Sequence, residues 1–582
     1  MIGSFRSRRA VWIRPWRISL FAIVLGAIAG AGAYGFRVLI AVCHNLLLLG
    51  RLSASYDTNL HTPMGLWGIG VAIVPAIAAL FVVFVVKHWA PEAKGHGVPE
   101  VMDAIHYEGG AIRPIVAAVK SVASAISIGS GGSVGREGPI IQIGAAFGSW
   151  AGRLLRVPHW QRITLVAAGG GAGIAATFNT PIGGVLFAVE VLLHEVSVRT
   201  LVPVTLATAT ATFVGRWLFG NHPAFVIPPI HMPAVASIVL LPAYAGLGVI
   251  CAAAAALFIR GLYWMEDLFE ARIRNAYLRH AIGMLGVGIT MTILALTSGH
   301  YFVEGVGYAT ILDVLEGAIP AIGMLLALFA LKLLTTAWTL GSGASGGIFS
   351  PALFMGAVLG GAYGIALDAL FPGLHLAPTA LALAGMAGVV AGSTGAALTA
   401  IVMIFEMTLD YSIVLPMTLT VAVAHGLRQR LVRDSIYTMK LTRRGHVIPG
   451  ALHATTYLVR PVSGLDLVPT LTLPADASPS LLAKTNEAFV AIVDDDQVIG
   501  LLSRARLAAR ADRVRSAERI GDLVEEVPVT VSWETPLVDA LAELRRTQKT
   551  HAVVIRHGAV EGVIAQPQIA DALVDEMLAV GE

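Results

Sequence analysis

The sequence predicts an all-α polytopic membrane protein built from two related halves with broken helices, followed by a C-terminal α/β tail. Three observations carry that prediction: the chain is 56% hydrophobic and only 13% charged, a glycine-rich stretch repeats within its apolar part, and charge returns near residue 450. A soluble globular protein has about 25% charged residues, so this composition excludes one. Residues 1–450 hold 28 Lys and Arg against 18 Asp and Glu, while residues 451–582 hold 12 against 19. The net charge of +3 is thus a basic first part offset by an acidic tail, and no nucleic-acid partner is expected. Cys43 and Cys251 lie in apolar runs and make neither a disulfide framework nor a metal site by themselves.

Residues 1–17 form a basic N-terminus with Arg6, Arg8, Arg9, Arg14 and Arg17. Arginines ahead of the first apolar run place this end in the cytoplasm. A cleavable signal peptide is the alternative, disfavoured by the length of the run and the spans that follow. Bilayer-length apolar stretches begin at Ile18 and recur at 66–86, 235–259, 320–339 and 412–425. The membrane domain is expected over 18–440, its halves at about 18–219 and 235–440. Residues 129–152, GSGGSVGREGPIIQIGAAFGSWAG, align without a gap to 341–364, GSGASGGIFSPALFMGAVLGGAYG, with ten of 24 positions identical. GGGAGIAATFNTPIGGVLFAVE (169–190) likewise echoes GMAGVVAGSTGAALTAIVMIFE (385–406). Paired glycine-interrupted segments are the sequence mark of transporters and channels with broken helices.

Three segments share one pattern, a glycine-rich loop ending in proline before an apolar run: Gly95, His96, Gly97, Val98 and Pro99; Gly135, Arg136, Glu137, Gly138 and Pro139; Gly347, Ile348, Phe349, Ser350 and Pro351. Each reads as a helix start, where proline fits and free N–H groups face the positive end of the helix dipole. In a membrane those amides need a partner, and an anion is a natural one, held weakly enough to be released. Ordinary broken helices packed on glycine are the alternative. GSGGSVGREG lacks the Gly-Lys-Ser/Thr ending of a phosphate loop, so a nucleotide there is not expected. Glu137 is a carboxylate inside the membrane, which marks it as functional. It would fill an anion site when ionised and leave when protonated, acting as a gate. An ion pair with Arg136 is the competing structural role.

GREGP (135–139), GGIFSP (346–351), FNTPIGGVLFAVE (178–190) and IVMIFEMTLDYSIVLPM (401–417) resemble the CLC family of chloride channels and proton-coupled chloride exchangers. The resemblance implies a homodimer with a pore in each subunit, each built from two inverted halves. It assigns the central anion to the backbone amides of Ile348 and Phe349, the gate to Glu137, and an inner hydrogen bond to Tyr437 of SIYTMKL. Two positions depart from the family pattern. His96 stands where the family usually has serine, which leaves anion selectivity open. In VLFAVEVLLHEVS, Glu190 is followed by Val191, where exchangers of the family usually place a second glutamate that takes protons from the cytoplasm. His194 and Glu195 follow one turn later as candidate substitutes. Val191 favours a passive chloride channel gated by Glu137 and pH, with a chloride/proton antiporter as the alternative.

After a linker at 441–460 the tail repeats itself. FVAIVDDDQVIGLLSRARLA (489–508) aligns to HAVVIRHGAVEGVIAQPQIA (551–570), both strand, turn, strand and helix start. The order resembles a tandem CBS pair, at about 461–512 and 519–579. Arg506 and Gln568 stand where nucleotide-binding copies carry aspartate, so a structural or dimer-stabilising module is weighed equally with a nucleotide sensor. A nucleotide-sensing membrane protein, its spans only an anchor, is the rival of another class. No enzyme, cofactor or metal is expected; the partners are chloride or another small anion, the bilayer and a second copy. The location is an inner or plasma membrane with both termini cytoplasmic.

Overall fold

Seven helices among the described residues of the computed structural model are long and apolar enough to cross a bilayer. The structure describes residues 15–220, 240–374, 377–446, 448, 461–495, 497–556 and 558–579. Arg6, Arg8, Arg9, Arg14 and most of the 441–460 linker lie outside them. Two units divide the chain, Met1–Ile448 and Pro449–Glu582.

The first unit contains two sets of helices in the same order. One runs α1 (Pro15–Leu49), α2 (Val74–Trp89), α3 (Val98–His106), α4 (Ile115–Gly129), α5 (Glu137–Leu154), α6 (His159–Phe178), α7 (Pro181–Phe187) and α8 (Val198–Phe219). The other runs α9 (Leu241–Arg272), α10 (Ala276–Ser298), α11 (Tyr308–Leu315), α12 (Ile322–Ser342), α13 (Phe349–Leu370), α14 (Pro378–Thr394), α15 (Ala397–Thr408) and α16 (Val414–Leu431), before α17 (Thr438–Arg443). The hydropathy reading misses the spans Val198–Phe219, Ala276–Ser298 and Phe349–Leu370, whose Thr, Ala and Gly dilute the apolar signal. The run at 412–425 instead falls mostly in α16, which ends in Arg428 and Arg430 and is not among the seven.

Small residues let the helices approach. A Cβ at Gly144 of α5 would lie 2.1 Å from the carbonyl oxygen of Gly169 of α6, and one at Gly356 of α13 would lie 2.3 Å from that of Gly385 of α14. The repeated helix pair therefore packs the same way in both halves. α5 and α13 meet start to start, and Gly135 and Gly347 join in an antiparallel bridge, so a local two-fold relates the halves. Reciprocal capping crosses the same symmetry. Glu190, on the π turn Ala188–Leu193 that follows α7, accepts from Leu398 N (3.0 Å) and Thr399 N (2.8 Å) at the start of α15. Glu406 of α15 accepts from Ile182 N (3.0 Å) and Gly183 N (2.7 Å) at the start of α7. Each carboxylate faces a positive helix end, which it stabilises.

The start of α1 and the ends of α3 and α17 share one face. Arg162 of α6 donates to the carbonyl of Gly109 just past α3, while Trp16 and Trp160 line one hollow. At the end of α3, Asp103 meets His446 at 2.6 Å and Tyr107 stacks on His446. The last described residues of the first unit, around His446, lie on this face. The 35-residue α1 is about 52 Å long, so the loop after Leu49 lies on the opposite face.

The second unit holds two three-stranded sheets, β1 (Thr470–Pro474), β2 (Phe489–Asp494) and β3 (Gln497–Ser503), then β4 (Val529–Ser532), β5 (His551–Arg556) and β6 (Ala559–Ala565). In each the first strand pairs parallel with the second and the second antiparallel with the third. The register shifts at Ile492/Val493 in one hairpin and at the equivalent Val554/Ile555 in the other. The second copy has a helix, Leu537–Thr547, between its first two strands; the first has only the 3-10 segment Pro479–Lys484. This arrangement is compatible with a CBS pair.

Candidate anion site

The three glycine loops converge. Gly135 N–H donates to Gly347 O at 2.7 Å and Gly347 N–H to Gly135 O at 2.6 Å; Gly95 N–H donates to Ala344 O at 2.9 Å and Gly346 N–H to Gly95 O at 3.2 Å. Gly138 is pressed against the His96 carbonyl, 2.1 Å from where its Cβ would be, so no side chain fits there. Gly95 and Gly97 hold φ of +81° and +86°, which glycine adopts without strain. Val98, Pro99, Pro139, Ile348, Phe349, Ser350 and Pro351 are all buried. One expectation is corrected here: the amides of Gly135 and Gly347 are spent on each other, so any anion must use N–H groups further into the helices.

Glu137 does so already. Its carboxylate, fully buried, accepts from Ser350 N at 3.4 Å in the first turn of α13, from the Ser350 hydroxyl, and from the Tyr308 hydroxyl at 2.8 Å. The carboxylate oxygens stand in for an anion at a helix start. Arg136 is not its partner: no Glu137–Arg136 ion pair is found among the described residues, and the guanidinium lies 5.4 Å from the Tyr308 ring centre. The loop geometry directs the two adjacent side chains apart.

On the His446 side of Glu137, His96 is 4% exposed, with its ring 5.9 Å from that of Tyr437. Its Nε2 stands 3.4 Å from Tyr263 Oη, whose own proton goes to Ile436 O at 2.7 Å. Tyr263 can therefore only accept, which puts the His96 proton on Nε2 and leaves Nδ1, buried and without a partner, as a bare acceptor. A neutral His96 offers Nδ1 no proton for an anion; a protonated one does.

Sequence reasoning misses three members of the site, Tyr308, Lys120 and Lys332. Tyr308 begins α11 after a second Gly-x-Gly, Gly305 and Gly307, with φ of +51° and +79° like the first. Ser350, expected among the anion-binding residues, donates to Glu137 instead. Lys120 of α4 and Lys332 of α12 are fully buried and clamp loop carbonyls: Lys120 holds Ala93 O and Gly95 O at 3.1 and 2.6 Å, Lys332 holds Val303 O and Gly305 O at 3.1 and 2.9 Å. The signal was available, since Lys120 and Lys332 are spaced as Gly135 and Gly347 are. It is masked because α11 carries no proline at its start. Outside Glu137, a cavity of about 20 Å³ touches Tyr308 and is walled by Tyr56, His61, Thr62 and Glu304, room for about one water. His44 contacts Glu304 there at 2.9 Å.

Val191 is buried on the π turn. The expectation that His194 and Glu195 lie one α-helical turn beyond it fails, because the π turn ends at Leu193 and His194 takes left-handed φ and ψ of 53° and 29°.

In the tail, Arg506, Phe489 and His551 line a cleft of about 340 Å³. Arg510 and Arg513 meet Glu525, and Lys549 meets Glu526. Burial first, and Arg506 second, push His551 below the usual imidazole range. Gln568 accepts from Ala565 N at 3.0 Å, so it is engaged by its own backbone.

A family model described as voltage gated chloride channel matches residues 78–429. The chain belongs to the CLC family. The H(+)/Cl(-) exchange transporter ClcA of Cronobacter sakazakii (strain ATCC BAA-894) is 32% identical over 454 residues, covering 75% of this chain and 93% of the relative. A protein of Ralstonia nicotianae named as a ClcB-like chloride channel is 35% identical over 362 residues, 61% of this chain and 81% of that one. A solved structure of a slow cyanobacterial Cl-/H+ antiporter is 26% identical with a TM-score of 0.64, covering 74% of this chain and 98% of its own. This CLC chain is thus a membrane transport protein. Most of the names among these relatives favour exchange over the passive conduction that Val191 suggested.

Proposed function

We propose that the chain exchanges chloride for protons across a cell membrane, with both termini cytoplasmic and each subunit of a homodimer carrying its own pathway. One observation carries the reading: the Glu137 carboxylate occupies a helix-start anion position on Ser350, under the Tyr308 hydroxyl. A chloride ion and this carboxylate compete for the Ser350 helix start, while Tyr308 fastens the carboxylate alone. The carboxylate yields the position when it gains a proton, because a neutral acid loses the charge-assisted bonds that hold it. Each departure of the gate therefore carries a proton and each return expels an anion, which couples the two fluxes. Buried Phe349, Ile348 and Phe178 keep the surroundings dry, which strengthens that competition. The exchange transporter of Cronobacter sakazakii and the cyanobacterial antiporter support the reading by similarity. Passive conduction is the second reading, favoured by Val191 and by the ClcB-like relative.

Chloride is the anion proposed, with His96 shaping selectivity at the inner end. The tail is proposed as a structural module, since the cations around its cleft are largely paired with Glu525 and Glu526. The test is uphill proton movement. Liposomes containing the purified protein, given a chloride gradient and no pH gradient, should acidify or alkalinise on one side as chloride flows. Chloride flow with no proton movement would defeat the exchanger reading.

A further inference from the structure

Exchange needs a group that takes up protons on the face where the first unit ends, and several carboxylates near the ends of α3 and of the π turn are engaged. Glu190 caps α15. Glu100 is held by Lys440 at 2.7 Å and Arg444 at 3.1 Å, and Asp103 by His446 at 2.6 Å. Two half-buried imidazoles stand beside them. His106, the last residue of α3, donates Nε2–H to the carbonyl of Leu192 at 3.1 Å, an acceptor that the π turn leaves exposed to it. Its ring stands edge-on to His194, 5.7 Å between centres. His194 sits at φ +53°, a conformation that turns the chain sharply, and its Nδ1 is buried with no partner among the described residues. A π turn and a left-handed non-glycine residue at one point are features found at functional sites more often than elsewhere.

The pair lies close to the gate along the fold. A Cβ at Gly170 of α6 would come within 2.8 Å of Leu192 Cδ1 and 3.4 Å of Ile141 Cγ2, so the π turn and α5 meet at the same point of α6. Ile141 is four residues past Glu137, about 6 Å along the helix. Asp103 on α3 is the charged group that acts on His106, and the two imidazoles act on each other, while Arg162 of α6 turns to Gly109 and His159.

We propose that His194, positioned by His106, is the proton entry on the face where the first unit ends. This rests on the exchanger reading above. His194 takes a proton from water at that face on its outer ring nitrogen, gives up the proton on the buried Nδ1 through transient water past Val191 and Ile141 to the Glu137 carboxylate, and returns to neutral imidazole. One proton enters and one is delivered.

The experiment measures chloride and proton fluxes together in liposomes for wild type, His194→Gln, His194→Glu and His106→Asn. The expected result is that wild type moves protons uphill, and that His194→Gln keeps chloride flux while proton flux falls at least about tenfold, a typical loss for a removed proton-transfer group. His194→Glu should restore the proton flux, and His106→Asn should change its pH dependence more than its ceiling. A wild-type proton-to-chloride ratio in His194→Gln would overturn the proposal while leaving the exchanger reading intact. Should His194→Gln move neither ion, the decision passes to His194→Glu: coupled flux supports the entry role, and chloride flux without protons contradicts it. Wild type that moves no protons would remove the exchanger reading and this proposal together.

Discussion

Replacing Tyr308 with Phe removes one hydroxyl and leaves the ring under Arg136 in place. In the structure that hydroxyl donates to Glu137 at 2.8 Å and lies 3.1 Å from the Ser350 hydroxyl. A hydrogen bond to a charged group contributes about 1.5–3 kcal/mol, and each 1.4 kcal/mol is tenfold in an equilibrium. Losing it weakens the docked gate against chloride by roughly ten- to hundredfold. Ser350 still holds the carboxylate through its N–H and hydroxyl, so the lower end of that range is expected. Two assays read the change. Chloride binding to purified protein, followed by calorimetry, should tighten by about tenfold because the competing carboxylate is less well held. Chloride efflux from liposomes should rise if release of the gate limits turnover, and the ratio of protons to chloride should stay near that of wild type because Glu137 remains. Unchanged chloride affinity in Tyr308→Phe would refute the argument that Tyr308 fastens the gate against chloride.

Glu137→Gln keeps the shape and removes the charge, so halide flux should persist and lose its dependence on pH, as read by efflux at several external pH values. His96→Ser returns the usual family residue and removes a ring whose Nδ1 binds an anion only when protonated; preference among chloride, nitrate and bromide should shift, and unchanged selectivity would place the imidazole outside the anion path. Glu190→Gln should lower the melting temperature of the purified protein by about 1–2 °C, since a lost helix cap costs about 0.5–2 kcal/mol against a large unfolding entropy, while leaving ion selectivity alone; unaltered melting would show the reciprocal caps to be incidental. A chain ending after His446 should still carry chloride, and calorimetry on the full chain should find ATP and AMP binding weak or absent, a micromolar affinity being the contrary result.

Much of this arrangement was legible in the residues. The gapless repeat announces two equivalent helix sets, and the Gly/Pro punctuation marks the starts of α3, α5 and α13, because proline and glycine have few other uses ahead of an apolar run. Inversion was not legible from the alignment itself, since a repeat of either hand gives the same letters; it comes with membership of the CLC family. Tyr308 escaped because aromatic residues in membrane helices are usually packing, and only its distance to Glu137 reveals its role. The fate of Glu190 escaped for a similar reason. Beside Val191, Glu190 reads only as the first member of an incomplete pair, whereas the fold spends it on the open amides of α15. His194 was noticed by spacing, but the spacing assumed an α-helix, and the π turn changes which atoms meet. Hydropathy failed where threonine and alanine replace leucine in α8, although the helix is apolar enough to span.

The measurement that bears most directly on coupled exchange is the reversal potential of wild-type protein in a planar or liposomal membrane, taken under a fixed chloride gradient while the pH on one side is changed. A passive chloride pathway reverses at the chloride equilibrium potential, about 59 mV for each tenfold gradient, whatever the pH. The account predicts instead a reversal potential offset from that value that moves with each change in pH. A potential that stays at the chloride value across the pH series would contradict it.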